Sequence, residues 1–74
     1  MSYFELYEKR KQLKPGSVWS DVYYPELQYV IVEVYENEYT NNTMVKYRTL
    51  KSHREYKCPM LMFLNATIKV RDSV

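Results

Sequence analysis

Nucleophilic chemistry in this chain would have to come from Cys58, the only cysteine, with His53, the only histidine, as its base. The two lie close in sequence across an expected loop-to-strand junction, and acyl transfer would also need donors for an oxyanion. The charged residues between them and the proline that follows favour a small buried cysteine beside a surface loop. Metal chemistry is worse served, because Cys58, His53, Asp21 and Asp72 show no ligand spacing. Glu36 with Glu38 and Glu26 with Glu33 are the available carboxylate pairs. They fall in turn-rich stretches, whereas hydrolysis needs two carboxyls held across a cleft in contrasting environments. The single glycine, Gly16, rules out a glycine-rich phosphate loop. These residues point to a protein that is not an enzyme and uses no cofactor or metal.

Binding chemistry is better supplied, in two places. Lys46, Arg48, Lys51, Arg54 and Lys57 lie on expected neighbouring strands and their loop, with Tyr47 and Tyr56 close by in sequence. Cations that track a phosphate chain, interleaved with rings that stack on bases, would make a nucleic-acid-binding face. The alternative is the ordinary charged outer face of an antiparallel sheet, which the net charge of only +2 favours. The second place is aromatic: Tyr23 and Tyr24 in one loop, Tyr35 and Tyr39 near a central hairpin. Such rings can form a groove for a protein partner, or simply cap the ends of a sheet with their hydroxyls in water.

The elements that position these residues can be read from period and punctuation. Ser2-Tyr3-Phe4-Glu5 is a capping-box pattern that opens a helix over residues 2–14. Tyr3, Leu6, Tyr7, Arg10 and Leu13 fall along one side, and the cations Lys9, Arg10, Lys11 and Lys14 gather where the helix dipole prefers them. Lys14-Pro15-Gly16 ends it. Five strands are then expected within residues 17–71. The first carries Val18, Ser20 and Val22 opposite Trp19, Asp21 and Tyr23, and is broken at Tyr24-Pro25. The second, Gln28 to Tyr35, sets Val30, Val32 and Val34 on an inward face. Asn37 to Asn42 reads as a hairpin loop into a third strand, Thr43 to Leu50, with Val45, Tyr47 and Thr49 inward. Glu55 to Cys58 makes a fourth. Met60 to Leu64 lacks alternation and suits a helical or 3₁₀ turn plugging the core. Ala66 to Arg71 is the last strand, with Ala66, Ile68 and Val70 inward.

Seventy-four residues leave room for one domain and one core, and 46% hydrophobic with 27% charged residues is the balance of a chain that folds. Nine tyrosines are too many for so small a core, so some rings face water. The short connections give a mainly β fold with an N-terminal helix, in a small five-stranded antiparallel barrel. Gly16-Ser17-Val18-Trp19, the Tyr29-to-Tyr35 strand, Met44-Val45-Lys46-Tyr47 and Cys58-Pro59-Met60-Leu61-Met62-Phe63-Leu64 resemble landmarks of short bacterial and phage proteins with an SH3-like barrel. The resemblance covers Pro15 to Val70 and leaves the helix outside. It implies fold, and, because phage proteins of this kind often bind a host protein, an inhibitor or modulator of such a partner. With no secretory pattern and no apolar run long enough to span a bilayer, the expected compartment is the cytoplasm, that of the host if the chain is phage-encoded. The expectation is thus a non-catalytic protein-interaction module, with nucleic-acid binding as the alternative. Homodimerisation, through the helix or a long edge strand, is a further expectation.

Overall fold

The computed structural model describes residues 3–74. Its elements run α1 (Tyr3–Lys11), β1 (Val18–Asp21), β2 (Gln28–Glu36), β3 (Thr43–Thr49), β4 (Glu55–Pro59), α2 (Met60–Ala66) and β5 (Thr67–Arg71). The five strands form one antiparallel sheet in the order β4-β3-β2-β1-β5. This is the mainly β architecture with an N-terminal helix that the patterning implies. The sheet is not closed, and β4 and β5 are its edges. Strands spaced by about 4.8 Å would put the edges of a flat five-stranded sheet about 19 Å apart. Yet the seven-residue α2 touches β3, β4 and β5 alike, so the sheet curls around it as a half-open barrel.

Local chemistry explains most boundaries. The expected Ser2 cap lies outside the described residues. Helix α1 stops short of residue 14 because its end tightens into i→i+3 bonds, Gln12 N to Lys9 O at 3.0 Å and Leu13 N to Arg10 O at 3.1 Å. That turn drives Leu13 into the core. Gly16 then needs its positive φ of 89° to swing its own N–H onto Ile31 O at 2.8 Å. Asn41 takes φ 58° in the β2–β3 hairpin loop, as its residue type allows.

The core is built from Leu13, Trp19, Ile31, Val45, Phe63 and Leu64, with Leu6, Tyr29, Val34, Tyr47, Cys58 and Met60 packed against it. Full burial of an aliphatic side chain is worth about 1.5–3 kcal/mol. Holding Phe63 and Leu64 inside is therefore what keeps α2 in the mouth of the sheet. Trp19 is fully buried, and its indole N–H donates to Ser17 Oγ at 2.9 Å.

Two expected inward rows are corrected. In β2 the row Val30, Val32, Val34 does not share a face. Ile31 pairs with Tyr47, but the next partner, Lys46, pairs with Glu33, so Val32 is the extra residue of a β-bulge. The bulge reverses parity, and Tyr29 and Ile31 before it share the core face with Val34 after it. Val30 lies on the other face, 4% exposed, opposite Val18. In β5 the row Ala66, Ile68, Val70 is also reversed. Helix α2 runs on to Ala66, and Thr67 enters the strand buried, its hydroxyl donating to Phe63 O at 2.7 Å. Ile68 and Val70 are left 57% and 44% exposed.

Candidate functional site

A small cleft of about 150 Å³ opens where the ends of β1, β2, β3 and β4 meet α2. Asp21 closes β1 there. Its Oδ1 accepts from the backbone N–H groups of Tyr23 at 2.8 Å and Tyr24 at 3.0 Å, which fixes the turn after the strand. Its Oδ2 accepts from the Tyr29 hydroxyl at 3.0 Å. The Tyr29 ring stands at 67° to that of Tyr47, with centroids 5.1 Å apart, and Tyr47 lies 5.0 Å from Phe63. Phe63 meets Trp19 edge-on at 5.8 Å, while Tyr56 extends the row outward from Tyr47, also at 5.8 Å. Cys58, Met62, Ala66 and Thr67 also line the cleft.

This arrangement disfavours ionisation of the cleft's two phenols and its thiol. Burial, then the hydrogen bond and negative charge of Asp21, push the Tyr29 hydroxyl up to about 12. Burial raises Tyr47 as well, helped by its neighbours Cys58, Tyr56 and Asp21. Burial also pushes the Cys58 thiol up, against a weaker opposing contribution from a Phe63 backbone hydrogen bond. A reactive cysteine needs the reverse shift. His53 gives it no base, since His53 Nδ1 meets Arg48 Nη1 at 3.1 Å on the exposed β3–β4 loop.

A second, larger concavity of about 740 Å³ runs between the two helices. Leu6, Tyr7, Met60, Leu61 and Leu64 line it, with Tyr3 at one end. Tyr3 is 93% exposed, and Phe4, Tyr7, Leu61 and Met62 are each more than half exposed. The helices are tied by Lys9, whose Nζ donates to Leu64 O at 2.5 Å and Thr67 O at 2.6 Å. A cation at the C-terminus of α2 satisfies carbonyls that the helix leaves unpaired. Desolvation lowers the Lys9 ammonium below its ordinary value, against the charge of Glu5.

The residues singled out from sequence are distributed differently from their sequence neighbours. Tyr23 and Tyr24 lie in the β1–β2 connection, whereas Tyr35 and Tyr39 lie at the other end of β2, a strand of nine residues. A straight strand of that length spans on the order of 26 Å, so the two tyrosine pairs occupy separate ends of the sheet. Tyr39 is 97% exposed. Among the cations, Lys46 pairs across the sheet with Lys57 on one side and Glu33 on the other, and Arg48 pairs with Glu55. Lys51 and Arg54 sit in the exposed connection to β4. Tyr47 and Tyr56 are cross-strand partners of each other and therefore point to the opposite face from Lys46, Arg48 and Lys57. Rings and cations do not interleave.

Sequence reasoning missed Asp21, Tyr29 and the outer residues of α2. The bulge at Val32 hid Tyr29, because strict alternation puts it outside. The Asp21 turn carried a visible signal, an aspartate two residues before the Tyr23-Tyr24 loop. Among the described residues, no group of three His, Cys, Asp or Glu side chains could hold a metal ion, and no helix is long and apolar enough to cross a membrane. Compared with family models, curated proteins and solved structures, the chain matches none.

Proposed function

We propose that this protein is a non-catalytic interaction module that binds a protein partner through the apolar groove between α1 and α2. The observation that carries the reading is the set of large apolar side chains on α1 and α2 that face water along the interhelical groove. A contiguous apolar surface of this kind costs solubility, and in small proteins it marks an interaction site. Leu61 and Met62 are exposed on the same short helix that buries Phe63 and Leu64, so a partner bound there would be read directly against the core. The exposed rings of Tyr23, Tyr24 and Tyr39 offer further anchors at the ends of the sheet. The resemblance to phage barrels suggests inhibition or modulation of a host protein as the biological form of such binding. A reducing cytoplasm suits a free Cys58.

A second copy is one partner to consider. Strand pairing is opposed at both edges: β4 carries Lys57 and ends in Pro59, and β5 carries Lys69 and Arg71, with its Thr67 carbonyl already taken by Lys9. A homodimer would therefore use the helical groove. Nucleic-acid binding through Lys46, Arg48, Lys51, Arg54 and Lys57 is the second reading, weakened by the cross-strand acids and by the rings lying on the other face.

Site-specific photo-crosslinkers at Tyr7, Leu61 and Lys57, used in the native cell, separate these readings. Protein adducts from Tyr7 and Leu61 but not from Lys57 are expected, and adducts with a second copy of the chain would specify a dimer. Nucleic-acid adducts from Lys57, with none at the helices, would overturn the proposal.

A further inference from the structure

The cleft beside Asp21 differs from the helical groove in being small, walled by rings and negatively charged. We propose that it is a subsite for one arginine side chain of a partner, the guanidinium lying against the Tyr29 and Tyr47 rings and donating to the Asp21 carboxylate. The inference rests on the partner being a protein, but on a different surface from the helical groove.

Three features support it. The volume of about 150 Å³ is on the scale of a single side chain. The Tyr29 and Tyr47 rings line it and meet each other edge to face at 67°, and a ring face left open to a ligand attracts cations. Its polar end is a carboxylate with no basic partner within 4 Å among the described residues, in a chain of net charge +2. A carboxylate has about four acceptor positions. Tyr23 N, Tyr24 N and the Tyr29 hydroxyl occupy three, which leaves room for one more donor. A flat, weakly hydrated guanidinium can stack and donate at once, which an ammonium cannot. Met62, exposed at the rim, has the flexibility to close over an aliphatic stem.

Asp21 also has a purely structural use as the acceptor of the β1–β2 turn, and the test must separate the two. Asp21→Asn keeps an amide oxygen for the Tyr23 and Tyr24 N–H groups, removes the charge and sets an NH2 donor where Oδ2 accepted, so that the Tyr29 hydroxyl must accept in its turn. Tyr29→Phe keeps the ring and frees an acceptor position on Asp21. Titration of the full chain with a blocked Ala-Arg-Ala peptide, followed by ¹H–¹⁵N NMR, should give saturable shifts at residues 21–24, Tyr29 and Tyr47 in the millimolar range. The neutral isostere with citrulline, the lysine peptide and the Asp21→Asn protein should each bind at least about tenfold more weakly, while Tyr29→Phe retains binding. Equal binding of the citrulline peptide, or no saturable shift at these residues, would overturn the subsite. Equal binding of the lysine peptide would overturn the guanidinium assignment. None of these results depends on the helical groove, so failure here and failure of crosslinking at Tyr7 and Leu61 are distinguishable.

Discussion

The two faces of the β3–β4 ribbon are made from alternate residues of the same two strands, yet they carry opposite chemistry. Val45, Tyr47, Tyr56 and Cys58 look toward α2, where the rings pack in a chain from Trp19 outward through Phe63. Lys46, Arg48 and Lys57 look the other way, set beside Glu33 and Glu55 across the strands. Residues adjacent in sequence are on opposite sides of a sheet. A run that reads as basic and aromatic therefore divides into an apolar side packed toward α2 and a charged side on which acids stand opposite some of the cations.

Truncations in β2 distinguish the residues that face α2 from those that do not. Ile31→Ala should cost about 2–5 kcal/mol in denaturant unfolding, as for other buried aliphatic truncations. Val32→Ala, at the bulge and only partly buried, should cost about 1 kcal/mol. Equal losses would mean that the bulge is misplaced and that the two faces are not as described. Next in size is the tie between the helices. Lys9→Met leaves the Leu64 and Thr67 carbonyls without their donor, and a loss of about 1–3 kcal/mol is expected. Increased amide exchange should then concentrate in α1 and the last turn of α2, and a loss spread evenly over the sheet would contradict the role given to Lys9.

Alkaline titration probes the ring-lined face. The Tyr29 hydroxyl is held at about 12 when folded, against an ordinary value of 10.0. Between these values the unfolded chain gives up a proton that the folded chain keeps, so stability is unaffected at neutral pH and falls as pH rises above 10. Tyr29→Phe should flatten that alkaline decline, and an unchanged slope would mean that Tyr29 is in free contact with water. The smallest effects belong to the solvated face. Lys57→Ala and Arg54→Ala should each change stability by no more than about 0.5 kcal/mol. A larger loss in chemical denaturation would show that the cations hold the sheet together.

Much of the fold was legible because its signals are local. Pro15-Gly16 ends the first helix, the asparagines of the β2–β3 connection mark a hairpin, and the non-alternating Met60-to-Leu64 run marks the plug. What escaped depends on events that alternation cannot register. One extra residue at Val32 reverses the faces of β2, and a helix that continues two residues beyond Leu64 reverses those of β5. Strict alternation therefore hides Tyr29 within an apparent outer face and places Ile68 and Val70 in the core. The exposed loop tyrosines were identifiable from their turns, but their separation by the length of β2 follows only from the topology.

Aromatic-to-methyl NOE spectroscopy on the isotope-labelled chain probes the packing of the sheet around α2 most directly. Cross-peaks should join the Phe63 ring to the Tyr29 and Tyr47 rings, and Ile31 methyls to Val45, with none from Val32 to Phe63. Contacts from Val30 or Val32 methyls to Phe63, with the Tyr29 ring in water, would show that the sheet is turned the other way and that the cleft beside Asp21 does not exist.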